Sequence, residues 1–296
     1  MPSVWLLVVA TALLWGSGGL VSKALIESGV DAFTVTAVPF GAGAILAWVV
    51  ARRLPSVAAF VSGLLLGVIS TAGPALLFNL GYETLPAGVV TLLIAVGPII
   101  TAIAAHFWFA DERFTLGKGG GLAISLFGVA ILSLGQGGED GGTPIGVVLV
   151  ICGSLLAGTT AVWGRSAAMR HGAKNLVPTQ LTGAALTPVV MSWALDRDLV
   201  PTGGFQAWQL LGLVAIGFFA SFLGFRMIMK ANEIGTTGQV SLVGYLLPVV
   251  GVGGGAILFA EPVTASVTIG GVLILGGVLI TGRSGGKPTR VLRSAG

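Results

Sequence analysis

Residues 84–110 read TLPAGVVTLLIAVGPIITAIAAHFWFA, a long stretch without Asp, Glu, Lys or Arg. About 20 apolar residues in a helix are enough to cross the hydrocarbon core of a bilayer. A strand of a membrane barrel would be about 10 residues long with a polar side chain at every second position, and this stretch lacks that alternation. The stretch therefore predicts a transmembrane helix.

Nine further charge-free runs of similar length divide the rest of the sequence, and the loops between them are too short for a soluble domain. With the stretch above, the ten runs cover residues 1–22, 32–51, 54–82, 84–110, 119–138, 141–164, 175–195, 199–225, 234–260 and 262–282. The first run has no positive charge in front of it, so we expect it to be retained rather than cleaved as a signal peptide. We predict an all-α integral membrane protein with ten transmembrane helices.

Composition agrees with this fold class. Of the 296 residues 54% are hydrophobic and 9% are charged, and the mean hydropathy is +0.98, whereas a typical soluble domain is about 25% charged. A single cysteine, Cys152, allows neither an internal disulfide nor a cysteine-based metal cluster. The composition excludes a soluble protein.

The distribution of Lys and Arg predicts the orientation. With a cytoplasmic N-terminus, every basic residue except Lys23 and Arg197 falls on the inner side of the membrane. This is the positive-inside pattern, so the net charge of +4 indicates membrane orientation rather than a nucleic-acid partner. We expect both termini in the cytoplasm, with residues 283–296 as a basic tail.

The two halves of the sequence resemble each other at an offset of about 150 residues. Residues 82–88 (YETLPAG) overlie residues 232–238 (NEIGTTG). Further matches at nearly the same offset are Trp15-Gly16 with Trp163-Gly164, Pro98 with Pro248, Glu112 with Glu261 and Gly121 with Gly270. Because five is an odd number of helices, two five-helix units in one chain would enter the membrane from opposite sides. We predict inverted repeats at residues 1–138 and 141–282, an architecture typical of secondary transporters.

These residues also carry a resemblance to a known family. The resemblance is carried by Trp15-Gly16, by the turn from Gly81 to Gly88 followed by Pro98 and Glu112, and by the repeated pattern in the second half that ends in Pro248 and Glu261. In these features the sequence resembles the tandem EamA domains of the drug/metabolite transporter superfamily. The resemblance spans about residues 4–282. It implies a ten-helix carrier of small metabolites, amino acids among them, with a central cavity between the repeats.

No pattern of an enzyme is present. The only histidines are His106 and His171. The sequence has no metalloprotease motif, no Gly-x-Ser-x-Gly nucleophile elbow of a hydrolase and no Walker loop. We therefore predict no catalytic residue, no metal and no cofactor. The ten runs also contain no acid, which disfavours proton-coupled export of lipophilic cations and favours a neutral, zwitterionic or anionic substrate.

Eight residues are candidates for substrate binding because they place aromatic, polar or basic groups in the predicted helices. They are Trp15, Ser17, Asn79, Trp163, Arg165, Gln180, Arg226 and Tyr245. Aromatic groups would form walls and polar groups would fix the orientation of the substrate.

Each candidate has a structural alternative. Snorkelling at the inner interface also explains Arg165 and Arg226, although Arg226 and Lys230, four apart, could form a mouth for a carboxylate or phosphate. The polar side chains could bond between helices, and Trp15 could serve helix packing. We place Tyr82 at the outer interface.

Two further features predict structural roles. Glu112 and Glu261 each stand just before a predicted helix, where a carboxylate can accept backbone N–H groups and complement the helix dipole. Glycines four apart, at Gly63 and Gly67 and at Gly251 and Gly255, predict close helix contacts within the bundle or between protomers, so a homodimer is a candidate assembly.

The function that the sequence favours is secondary transport across the cytoplasmic membrane by alternating access. The cargo would be a small neutral, zwitterionic or anionic metabolite such as an amino acid or a derivative, and export is preferred because the resembling family contains many exporters. The alternatives are a passive channel or facilitator for small polar solutes, and a multidrug exporter. Membrane lipid and the small-molecule substrate are the expected partners.

Overall fold

The computed structural model describes residues 3–52, 54–108, 115–134, 143–235 and 237–283, and every regular element in these ranges is a helix. The α-helices, numbered α1 to α14 in chain order, are Val4–Glu27, Ala32–Ala51, Val57–Leu65, Gly73–Tyr82, Ala87–Ile94, Gly97–Trp108, Leu116–Leu134, Pro144–His171, Ala173–Ala194, Ala207–Ala215, Phe225–Ile234, Thr237–Ser241, Val243–Leu258 and Ala265–Arg283. The all-α prediction is confirmed for this part of the chain.

Seven continuous helical stretches in the described ranges are long and apolar enough to cross a membrane. They are Val4–Glu27, Ala32–Ala51, Val57–Tyr82, Ala87–Trp108, Pro144–His171, Ala207–Ile234 and Gln239–Leu258. Shorter apolar stretches lie in α7 and α14, at Gly119–Ile131 and Ala265–Gly277, and α9 is a further helix of 22 residues. The protein is therefore a multi-pass membrane protein.

Two of the long stretches contain a π-helical segment, at Leu66–Ala72 and Ile216–Gly224. A π turn widens the helix locally and often marks a functional position. The segments begin 150 residues apart, at Leu66 and Ile216, and in each a helix from the other half of the chain crosses a glycine. A Cβ on Gly67 would overlap the Gln180 carbonyl of α9, and a Cβ on Gly217 would lie 3.0 Å from the Pro39 carbonyl of α2. Close backbone packing across the halves therefore requires glycine at both crossings.

Helix starts carry ordinary caps. Ser3, Ser56 and Thr143 each accept a backbone N–H of the helix that follows, and Asp31 accepts the N–H of Phe33 at 2.8 Å. The halves are further joined where α7 packs on α14, with Ser125 Oγ donating to the Ile274 carbonyl at 3.0 Å.

The apolar core has two main clusters, separated along α1. One includes Leu7, Val8 and Ala12 at the start of this helix, and the other includes Leu20 near its end. The stretch of α1 between them faces an internal cavity.

Candidate functional site

The cavity has a volume of about 370 Å³ and lies between the two halves of the chain. Residues of α1, α2, α4 and α5–α6 line it from the first half, and residues of α8, α9, α11 and α13 line it from the second half. This volume is within the range of pockets that hold a small molecule. Its aromatic walls are Trp15, Phe40, Phe78, Tyr82 and Phe225.

One face of α1 forms a wall of the cavity. Trp15, Gly18, Gly19 and Ser22 line it, and their spacing of three and four residues places them on one side of a helix. The Trp15 indole is fixed, because Nε1 donates to the Ala220 carbonyl at 3.1 Å and the ring centroid lies 5.2 Å from that of Phe225. The wall is therefore held in place from the second half of the chain.

Polar side chains from several helices meet in the cavity. Asn79 Nδ2 donates to Thr36 Oγ1 at 2.9 Å, which joins α4 to α2. Gln180 Nε2 donates to Thr71 Oγ1 at 2.9 Å, which joins α9 to the first π-helical segment. Since both bonds connect different helices, they fix the relative positions of the groups that a ligand would contact.

The lining contains no Asp, Glu, Lys, Arg or His among the residues that the structure describes. Charged side chains lie beyond its ends. Lys23 Nζ donates to the Tyr82 carbonyl at 2.9 Å and pairs with Glu27 at 3.1 Å, while Arg165 Nη2 donates to the Gly235 carbonyl at 3.2 Å near the other end. The cavity is thus mostly apolar, with a few polar groups and no charged one among the described residues.

An ion cluster joins the halves at the end of the molecule where α1 ends and α2 begins. Arg197 Nε lies 3.0 Å from Asp31 Oδ2, and its Nη2 lies 3.2 Å from Glu83 Oε1. Burial raises the pKa of Glu83 above its ordinary value, and the neighbouring Arg197 opposes that shift. One arginine of the second half therefore holds two carboxylates of the first.

Three of the eight candidate residues line the cavity, namely Trp15, Asn79 and Gln180. Ser17 is exposed on the opposite side of α1 from the cavity face, since two residues turn a helix by about 200°. Tyr245 is half-buried on α13 and is not among the lining residues.

The other candidates also lie outside the lining. Trp163 packs partly buried against the first apolar cluster. Arg165 bonds to the Gly235 carbonyl, as described above, and Arg226 is exposed with its guanidinium carbon 5.5 Å from the Phe222 ring centroid. Snorkelling stays a prediction for both arginines, since Arg226 is exposed but Arg165 is partly buried and bonded to the protein backbone.

Several lining residues were not singled out from the sequence. Tyr82, expected at the outer interface, is only 4% exposed and faces the cavity. Its partner at the repeat offset, Asn232, lines the cavity too, as do the pairs Thr71 with Ser221 and Thr91 with Ser241. The repeat offset is the sequence signal that could have found them.

Glu261 has a capping role with an unexpected partner. Its Oε1 accepts the N–H of Ala87 at 2.6 Å and its Oε2 accepts the N–H of Gly88 at 3.1 Å. It therefore caps α5 of the first half, whereas its position in the sequence had pointed to the helix that follows it. Glu112 lies outside the described residues.

Comparison with known proteins is decisive for the family. The sequence model of the EamA-like transporter family matches residues 3–134 and, a second time, residues 144–283. The chain belongs to the EamA-like transporter family. It is accordingly a membrane transporter and not an enzyme, as the sequence predicted.

Relatives support this assignment. An "Uncharacterized transporter" of Archaeoglobus fulgidus is 28% identical over 222 residues, which cover 74% of this chain and 76% of the relative. A "Probable amino-acid metabolite efflux pump" of Escherichia coli (strain K12) is 26% identical over 227 residues, covering 73% and 75%. An "Uncharacterized inner membrane transporter YedA" of the same strain is 23% identical over 278 residues, covering 92% and 88%.

A solved crystal structure has the same fold as this EamA-like chain. The two align with a TM-score of 0.67 at 19% sequence identity, over 95% of this chain and 97% of the other. At this identity the likeness concerns the fold alone.

Proposed function

We propose that this EamA-like protein is a secondary carrier of the cytoplasmic membrane that moves small metabolites without net charge by alternating access. In this proposal ten transmembrane helices form two inverted repeats, at residues 1–138 and 141–282. Both termini and the tail at 283–296 are cytoplasmic. The substrate binds in the cavity between the repeats.

The proposal of inverted repeats has structural support. The π-helical segments begin at Leu66 and Ile216, which are equivalent under the repeat offset, and cavity-lining residues recur at the same offset. Each π-helical segment packs on a helix of the other half. In the described ranges, the seven long spans together with α7, α9 and α14 supply ten helices, and repeats of five would be inverted relative to each other.

The single observation that carries the substrate class is the uncharged lining of the cavity in the described part of the chain. A buried carboxylate or ammonium group without a charged partner would be strongly disfavoured, because it loses its hydration. A ligand with an apolar body and neutral polar groups instead matches the aromatic walls and the amide and hydroxyl side chains. Of the classes that the sequence favours, the neutral one, including uncharged amino-acid derivatives, fits best.

The ion cluster supports alternating access. A carrier must break contacts between its halves on one side when that side opens, and Arg197 provides such a contact by bridging to Asp31 and Glu83. Export is the proposed direction, in keeping with the resemblance, and one relative has a name that describes an efflux pump.

Solute counterflow in proteoliposomes tests the proposal. Liposomes with purified protein are loaded with one unlabelled compound class, and the entry of the same labelled compound is followed. Amino-acid amides, amino acids, nucleobases, organic acids and lipophilic cations are the classes to compare. Saturable exchange restricted to uncharged compounds is expected; non-saturating flux would indicate a channel, and exclusive exchange of anions or cations would refute the substrate class.

Trp15→Ala connects this activity to the cavity. Removal of the ring should raise KM for exchange about tenfold, because an aromatic wall contributes buried contact area and ordered geometry. Trp193→Ala is the matched control, since Trp193 is 83% exposed and outside the cavity. Equal KM values for the two variants would remove Trp15 from the site.

A further inference from the structure

Gln180 carries an unused hydrogen-bond acceptor at the cavity. The side chain is only 1% exposed, and its Nε2 donates to Thr71 Oγ1. Its Oε1 is buried and has no hydrogen-bond partner within the described part of the chain. Buried polar atoms in native proteins are almost always satisfied, so an unpartnered atom of a residue that lines a cavity points to a bond made when the cavity holds a ligand.

Several hydroxyl groups of the cavity lining donate to backbone carbonyls. Thr36 Oγ1 donates to the Ala32 carbonyl at 2.7 Å, and Thr91 Oγ1 donates to carbonyls of its own helix at 3.0 and 3.1 Å. Ser154 Oγ donates to the Val150 carbonyl at 2.9 Å. These three lining hydroxyls donate within the protein, and Gln180 Oε1 receives no hydrogen bond from the described part of the chain.

Backbone carbonyls add further acceptors to the lining. A proline has no N–H, so the carbonyl four residues before it in a helix loses its usual donor. Two cavity-lining residues stand in this position, and they are Val35 before Pro39 and Gly244 before Pro248. Backbone acceptors without their usual donors thus occur on α2 and on α13, in addition to the Gln180 side chain on α9.

We propose that Gln180 Oε1 is the contact that selects substrates bearing an N–H donor, with an uncharged amide as the group it recognises. The aromatic walls hold the apolar part of the same molecule. The proposal rests on the transport function above and specifies the polar group of its substrate. An amide N–H completes the hydrogen bonding of the glutamine without bringing a charge into the uncharged cavity.

Two compounds of nearly equal size isolate the donor. N-methyl-3-phenylpropanamide has an N–H where methyl 3-phenylpropanoate has an ester oxygen, and both are uncharged. Binding of each is measured by isothermal titration calorimetry with the full chain in lipid nanodiscs, and empty nanodiscs correct for partition into lipid. The wild-type protein should bind the amide about tenfold more tightly than the ester, since the ester leaves Oε1 without a donor.

The variant Gln180→Met keeps the length of the side chain and removes the acceptor. The ratio of the two dissociation constants should fall to about one. Gln209→Met is the control, because Gln209 is another buried glutamine, 4% exposed, which bonds to Ser28 Oγ and to the Gln206 N–H away from the cavity. This control should keep the tenfold ratio.

A second variant covers the case in which Gln180→Met does not fold. Thr71→Ala then replaces it, since loss of the Thr71 hydroxyl frees the amide to rotate and should reduce the ratio at least threefold. Equal binding of ester and amide by the wild-type protein, no binding of either at the solubility limit, or a ratio that survives the substitution tested would overturn the inference. Failure of the proposed transport function would be recognised by a different result, namely the absence of saturable exchange for every compound class in the counterflow assay.

Discussion

Glu261 allows a quantitative test of how the halves of the protein are joined. Its carboxylate accepts the N–H groups of Ala87 and Gly88 at the start of α5, and the residue before them, Pro86, makes no side-chain cap. The helix therefore depends for its cap on a residue 174 positions away. We consider the substitution Glu261→Gln, which retains the shape of the side chain and removes its charge.

The magnitude follows from the two hydrogen bonds. A glutamine amide offers one oxygen, so one N–H of α5 loses its acceptor and faces an NH₂ group. The loss of one charge-assisted bond costs about 1.5–3 kcal/mol, and the loss of the negative charge at the helix N-terminus adds about 0.3–1 kcal/mol. We expect the free energy of unfolding to fall by about 2–4 kcal/mol.

The assay is unfolding by SDS titration in mixed micelles, followed by circular dichroism. Asp198→Asn is the control: it removes a carboxylate charge from an exposed side chain, so it should cost less than about 0.5 kcal/mol. A difference between the two variants below about 0.5 kcal/mol would refute the capping role, since it is smaller than the effect of a single cap.

A double-mutant cycle makes the test specific. A Cβ on Gly255 would overlap the Glu261 carboxylate, so Gly255→Ala should displace the same cap. The two substitutions together should cost less than the sum of their separate effects, because each destroys the same hydrogen bonds. Additive effects would show that Gly255 and Glu261 act independently and would contradict the geometry.

Two further predictions concern packing and pH. Gly67→Ala should lower the free energy of unfolding by about 1–3 kcal/mol, because its Cβ would overlap backbone atoms of α9. Gly253→Ala, with no atom within 4 Å of its Cβ, should instead raise the free energy of unfolding by about 0.5–1 kcal/mol. Equal effects of the two substitutions in SDS titration would contradict the packing. Burial raises the pKa of Glu83, so its contribution is fully present below its ordinary value of 4.5 and is lost as pH rises through the folded value. The stability of the wild-type protein relative to Glu83→Gln should therefore decrease as pH rises from 4.5 in thermal unfolding experiments, and a constant difference would contradict the shift.

The sequence predicted the helices better than the faces they present. The run 54–82 corresponds to the span Val57–Tyr82, and the run 84–110 to the span Ala87–Trp108. Charge-free composition reveals such spans because the bilayer requires it. It reveals little about faces, since lipid and protein core are both apolar, and this is why Ser17 could be chosen beside Trp15 although the two lie on different sides of α1.

Uncharged polar residues were the more informative signal for the site. Asn79 and Gln180 stand within apolar runs, where burial of an amide requires a partner, and both face the cavity. Arg165 and Arg226 had a second explanation in the positive-inside rule, and they lie outside the lining. The partner of Glu261 could not be read from the sequence, because it depends on how α5 packs beside the last loop of the second half.

The proposed inverted repeats carry a consequence for specificity. Positions that are equivalent under the repeat offset face the same cavity with different chemistry, as Asn79 and Met229 do, and likewise Ala75 and Phe225. A symmetric site would accept a substrate in two orientations, whereas this one has an amide where the equivalent position has a thioether, and a methyl group where the equivalent position has an aromatic ring. We therefore expect the substrate to keep one orientation, with its polar end toward Asn79 and Gln180, while the repeats exchange conformations around it.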